Sequence, residues 1–221
     1  MQEIIAFNEQ RAEIYWWMSS LLSRELTAED LSHYHSGEIL TFLSGLAMTP
    51  ELKQPAQDFQ NALQRLENRA DAQLELAADF CGLFLSTPKT GALPYASVYV
   101  GESGLLNDQP AQDMNQWLTR YEIAQRKEFN EPADHLAVEL DFMGNLIILA
   151  NQQNSEQAAE PLMQAQQQFL DTMLLNWLPA FAQACQARDP FGFYAAAVNL
   201  LLAFCWLDRA FLAGEGEAQE S

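Results

Sequence analysis

The segment Glu131-Pro132-Ala133-Asp134-His135-Leu136-Ala137-Val138-Glu139-Leu140-Asp141-Phe142-Met143 gathers four carboxylates and one imidazole without a Lys or Arg. The next cation after Lys127 is Arg188, so the base-free stretch runs far beyond this segment. On a helix, His135 and Glu139 stand one turn apart on a shared face, with Asp134, Val138, Asp141 and Asn145 along an adjacent strip. Three kinds of chemistry suit such residues. Asp134 can satisfy the free N–H groups and the dipole of a helix start. The His/Glu pair can contribute to a metal site, although His33 and His35 supply no further ligand spacing. The carboxylates can also receive Arg or Lys of a peptide while neighbouring apolar side chains hold its hydrophobic part. Convergent acid–base catalysis fits poorly, because Glu139 and Asp141 lie two residues apart and diverge on a helix.

A second constellation, Leu93-Pro94-Tyr95-Ala96-Ser97-Val98-Tyr99, falls where helical periodicity fails. Residues 86–108 hold two Pro, three Gly and two Tyr. A loop of this length within a domain is often functional. Its aromatics either fold back on their own core, or Tyr95 and Tyr99 line a groove with apolar faces and hydroxyl tips. A short extended piece is expected at 97–100. The turn Gly101-Glu102-Ser103-Gly104 is too weak a signal for a phosphate loop, and its acid repels phosphate. A small helical enzyme or ligand carrier using this loop and the His135/Glu139 pair is the alternative reading. GxxxxGK[ST], GxGxxG and GxSxG are all missing. Cys81, Cys185 and Cys205 are far apart and form no CxxC, and Cys81 and Cys205 lie in apolar runs that should bury a thiol.

The elements that must position these residues are helical. Ile14, Met18, Leu21 and Leu22 make one stripe on a first helix of about twenty residues. Thr27 reads as the N-cap of a short second helix. A third helix spans 36–47 with Ile39, Leu40, Leu43 and Leu46 inward. Pro50 starts a fourth with Phe59, Leu63 and Leu66 on one side. Residues 71–85 continue through Leu76, Phe80 and Phe84. Periodicity resumes over 110–127 with Met114, Trp117, Leu118 and Tyr121. Pro132 suits the first turn of the next helix. Asn154-Ser155 breaks the chain before a long helix to about 187, kinked at Pro179. Asp189-Pro190 opens a last helix.

The chain of 221 residues is thus expected to be all-α, a bundle of roughly nine or ten helices in two subdomains. The expected division is 1–128 with the 86–108 loop, a hinge at 128–132, a second subdomain over 133–213, and a disordered acidic tail at 214–221. A short proline-containing hinge also suits domain exchange, giving a monomer that can pair as a homodimer. Lys and Arg number 11 against 30 Asp and Glu, a formal charge of −19. That disfavours nucleic acid and anionic membranes and favours cationic partners. The N-terminus lacks a cationic n-region, and the longest apolar run, 195–207, is short for a bilayer span, so a soluble cytoplasmic protein is expected.

The central Pro-Tyr-x-Ser-x-Tyr loop (Pro94 to Tyr99), together with Glu131-Pro132-x-Asp134-His135-Leu136 leading into Glu139-Leu140-x-Phe142-Met143, resembles the TorD/DmsD family of cytoplasmic redox-enzyme maturation chaperones. The overall pattern is similar to the branch whose client is trimethylamine N-oxide reductase. The resemblance implies a non-enzymatic protein that binds the twin-arginine signal peptide and apo form of a molybdoenzyme precursor. It implies help with molybdenum-cofactor insertion before export, and no tightly bound cofactor; weak guanine-nucleotide binding is associated with the family. It further implies that Asp134 and His135, with Pro94 and Tyr95, belong to or support the client site. Glu131, Glu139 and Tyr99 join that set on the physical reading of acids and amphipathic rings.

Overall fold

A computed structural model describes residues 2–127 and 129–214. It contains eleven α-helices and one π-helical segment in those residues: α1 (Gln2–Ser23), α2 (Ala28–Tyr34), α3 (Gly37–Leu46), α4 (Pro50–Glu67), α5 (Ala72–Phe84), α6 (Ala96–Val100), α7 (Gln109–Arg120), α8 (Leu136–Asn151), α9 (Glu156–Phe169), the π segment (Leu170–Leu174), α10 (Leu178–Arg188) and α11 (Phe193–Leu212). The all-α expectation is met. The described residues form two units, one within 2–23, 94–178 and 208–214, the other of 24–93 and 179–207.

The first unit is organised by α1 lying against α8. Ile14, Met18, Leu21 and Leu22 are buried as their spacing requires, opposite a helix whose Leu136, Leu140, Met143, Leu146 and Ile147 are also buried. Gly144 makes the approach possible: a Cβ there would stand 2.5 Å from Trp16 Nε1. Ser19 Oγ donates to the Ala137 carbonyl at 2.7 Å, using the second lone pair of a helical oxygen. Arg11 is buried and bonded to Asp208 in the last turn of α11, to Asn8 and to Gln166. A buried guanidinium tolerates desolvation only with such a complete set of acceptors.

The second unit is built from α2 to α5, α10 and the first four turns of α11. Thr27 and Asp30 form a reciprocal capping box at α2. Phe59, Phe80, Phe84, Phe181, Phe193 and Tyr194 make an aromatic core of tilted and edge-on rings. Asp189 accepts from Gly192 N at 2.8 Å and Ala195 N at 2.9 Å, which fixes the start of α11.

Several expectations change. Of the expected hinge, residue 128 lies outside the described residues, and 129–132 lie inside the first unit, because α1 returns to pack on α8 and contiguity in sequence is not contiguity in space. Residues 97–100 are helical, not extended, and the 86–108 loop is therefore interrupted by α6. The long helix to 187 breaks before Pro179, through the π segment and a turn. Of the four inward residues expected on α3, Leu43 is fully buried and the others only partly so. Cys81 is exposed, and its thiol donates to Glu25 Oε1 at 2.9 Å. That bond, more than burial, raises its pKa. The apolar run at 195–207 extends into a 20-residue helix, α11, long and apolar enough by composition to cross a bilayer; half of that window is buried by the fold. The expected tail at 215–221 lies outside the described residues.

Candidate functional site

The two sequence constellations meet in the first unit. Leu136 N donates to Pro94 O at 2.8 Å and Ala96 N to Asp134 O at 3.1 Å, an isolated antiparallel bridge between Tyr95 and His135. Beside it, Asp134 Oδ2 accepts from Ser97 N at 2.8 Å and from Ser97 Oγ at 2.5 Å. Asp134 therefore does not cap α8. It holds the first turn of α6 to the strand-like approach to α8, and Ser97 Oγ passes the connection on by accepting from Asp108 N at 3.1 Å.

The cap of α8 is His135. Its Nδ1 accepts from Ala137 N at 3.0 Å, so the neutral ring carries its proton on Nε2. The ring is buried edge-on between Tyr95 and Phe129, at 4.8 and 4.9 Å. Burial lowers its pKa to about 3. Pro132 accordingly lies before the helix, not in its first turn.

Glu139 is fully enclosed. Its Oε2 accepts from Trp177 Nε1 at 3.1 Å, and that indole stacks on Tyr99 with centroids 5.5 Å apart. Burial raises its pKa well above the ordinary carboxyl value, the Asp134 carboxylate adds to the rise, and the indole bond opposes it. Asp134 Oδ1 and Glu139 Oε1 have no hydrogen-bond partner within the described protein. His135 and Glu139 thus use their polar atoms on different neighbours and do not act as a pair, which removes the basis of an enzyme or carrier built on them.

Tyr95 is buried to its hydroxyl, which donates to Glu131 Oε2 at 2.8 Å. Burial and then that carboxylate push its pKa up. The Glu131 carbonyl accepts from Gln125, and Asp141 is paired with Arg126 at 2.5 Å. Pro94, Tyr95, Asp134, His135 and Glu139 are all buried, while Tyr99 and Glu131 are partly exposed. Among the described residues no three His, Cys, Asp or Glu side chains converge as metal ligands.

What this scaffold presents to solvent is a groove of about 230 Å³. Ala96 and Val100 of α6 form one wall, Pro110 of α7 a second, and Thr172, Met173 and Asn176 at and after the π segment a third; Glu102 and Asp113 line it. Val100, Leu105 and Leu106 are exposed in the same stretch. The turn out of α6 is tight enough that a Cβ on Gly101 would fall 2.3 Å from the Ser97 carbonyl. Asp108 then caps α7 and accepts from Ser103 N and Oγ at 2.9 and 2.8 Å, bonds that lower its pKa. Sequence reading missed Glu102 and Asp113 as groove residues. The signal was the Gly101–Gly104 turn, set aside because its acid repels phosphate; that acid suits a cation.

Charge is unevenly shared. Among the described residues the first unit holds five Lys and Arg against fifteen Asp and Glu, a balance of −10, and the second six against eleven, −5. Fold and site together describe an all-helical protein whose motif residues are mostly buried and bonded to one another, beside a groove lined by apolar side chains and two acids.

Comparison with known proteins agrees with that class. The family described as "Nitrate reductase delta subunit" matches residues 46–183. "Chaperone protein TorD" of Photobacterium profundum is 74% identical over 97% of this chain and all of its own length. The protein of the same name from Aliivibrio fischeri is 59% identical over 97% of this chain and all of its own. That from Vibrio cholerae is 51% identical over 95% and 94%. A crystal structure of a putative redox enzyme maturation protein from Archaeoglobus fulgidus aligns with 92% of this chain and 93% of its own, at 17% identity and a TM-score of 0.45. The chain belongs to the TorD family of chaperones, and its role is not enzymatic.

Proposed function

We propose that this chaperone acts in the cytoplasm on the precursor of a molybdoenzyme, with trimethylamine N-oxide reductase as the client. It holds the precursor's twin-arginine signal peptide and apo form while the molybdenum cofactor is inserted. The observation that carries this reading is the groove between α6, α7 and the π segment, with Glu102 and Asp113 among apolar walls. A guanidinium is held well by carboxylates, and its methylene stem packs along apolar surface. The exposed Val100, Leu105 and Leu106 offer further surface to the apolar part of a signal peptide. The buried motif serves this groove indirectly: Asp134 sets Ser97, and Ser97 sets α6. Asp134, His135, Glu139, Pro94 and Tyr95 are positioning residues on this reading, with Tyr99 and Glu131 at the edge of the site. Affinity near micromolar, about −8 kcal/mol, suits a chaperone that must release its client.

The test is co-purification and calorimetry with the reductase precursor in three forms: intact signal, both arginines changed to lysine, and signal removed. Binding that needs the signal, weakens at least fivefold with lysines, and weakens with added salt supports the proposal. Charge reversal by Glu102→Lys with Asp113→Lys should weaken the intact precursor at least tenfold. Equal binding of all three precursors overturns the signal-peptide reading.

A further inference from the structure

A second accessible groove lies in the first unit, lined by none of the motif residues. It is formed by the first two turns of α1, the end of α8 and the start of α9, and encloses about 290 Å³. Ile4, Ile5, Ala150, Ala159 and Met163 make its walls, and Glu156 and Glu160 stand in its lining. Ile4 is 48% exposed and Phe7, one turn further along α1, 43% exposed, so the apolar surface continues past the groove.

Its floor is polar but already satisfied. Asn8 Nδ2 donates to Asn151 Oδ1 at 2.8 Å, and Asn151 Nδ2 donates to the Ile5 carbonyl at 3.0 Å. Arg11 Nη1 donates to Asn8 Oδ1 at 2.8 Å. An apolar occupant therefore strips no hydrogen bond from the floor, and it meets walls held in place before it arrives. Arg11, the cation of α1, is buried in its bond to Asp208. Among the described residues no Lys or Arg pairs with Glu156 or Glu160. These two acids are four residues apart on α9 and exposed, one turn from each other.

We infer that this groove docks a cationic amphipathic helix, its apolar ridge between α1 and α9 and its Lys or Arg side chains on Glu156 and Glu160. An apolar trough between helices accepts ridge positions at i, i+3, i+4 and i+7, and two acids one turn apart match cations one turn apart on the ligand. An acidic or phosphorylated segment meets only repulsion here. This site does not depend on the proposed signal-peptide groove, with which it shares no residue.

The test uses the full chain and an 18-residue synthetic helix with a Leu/Ala ridge and Lys flanks, against the same peptide with every Lys changed to Glu. Fluorescence anisotropy should show binding of the Lys peptide only, weakened by salt. Glu156→Lys with Glu160→Lys should weaken it at least tenfold and allow the Glu peptide to bind. Glu102→Lys with Asp113→Lys, which changes net charge equally, should leave the Lys peptide within about twofold. Met163→Glu offers a second block from inside the groove. The inference falls if the two charge reversals act alike, if both peptides bind equally, or if sedimentation finds a dimer that Met163→Glu splits, which would give this face to a second copy.

Discussion

Asp134 and Ser97, 37 positions apart, form the closest link between the two motifs: one carboxylate oxygen receives both the backbone N–H and the hydroxyl of the serine. A single acid thus anchors a five-residue helix too short to be stable by itself. Asp134→Ala leaves two buried donors without an acceptor, a loss of about 3 kcal/mol. Ser97→Ala keeps the backbone bond but removes the hydroxyl that donates to Asp134 and accepts from Asp108 N, and should cost about 2 kcal/mol. Urea unfolding of both single variants and the double variant should show strong non-additivity. Client binding should fall with the displacement of α6, even though Asp134 is not exposed.

His135 makes stability depend on acidity. The folded pKa, about 3, lies below the ordinary value of 6.5. As pH falls through 6.5 the unfolded chain takes a proton that the folded chain refuses. The folded state then loses roughly 1.4 kcal/mol per pH unit, down to about pH 3. His135→Asn keeps a capping acceptor without a titrating ring. Its thermal midpoint should change less than that of the parent between pH 6.5 and 4, and an identical slope in the two proteins would remove this assignment.

Glu139 works in the opposite direction. Its folded pKa is raised, so the folded state keeps a proton that the unfolded state gives up above about 4.5. Stability from this group is full at low pH and is lost as pH rises toward the folded pKa. Glu139→Gln retains an oxygen for Trp177 Nε1 and carries no charge. It should raise the melting temperature more at pH 8 than at pH 5, whereas Glu139→Ala should lower it at both.

The α1–α8 contact rests on the missing side chain of Gly144. Gly144→Val places atoms where the Trp16 indole lies. Overpacking of this kind costs about 1–3 kcal/mol, measurable as a lower urea midpoint with tryptophan fluorescence altered in the folded state.

Much of the fold was legible because burial is periodic. The stripes on α1, α4 and α5 follow spacing alone, and Thr27 and Pro50 mark helix starts by their local chemistry. The residues of the candidate site were harder to read for the same reason. Asp134 looks like a helix cap by position, yet its partner is 37 residues upstream, and an imidazole takes the cap instead. Glu139 shares a helical face with His135, but Trp177 decides its environment, and nothing local to either residue announces that. Glu102 and Asp113 acquire meaning only when α6, α7 and the π segment are brought around one groove. The division into units was illegible for a topological reason: its first unit uses both ends of the chain.

That topology also governs how the chaperone is made. Arg11 cannot meet Asp208 until 197 further residues have left the ribosome. At about 5–20 residues per second this takes about 10–40 seconds. Through that time the guanidinium that the fold will bury lacks its principal counter-ion. A chaperone of this family therefore spends its own synthesis as an unfinished chain, closed only when α11 arrives.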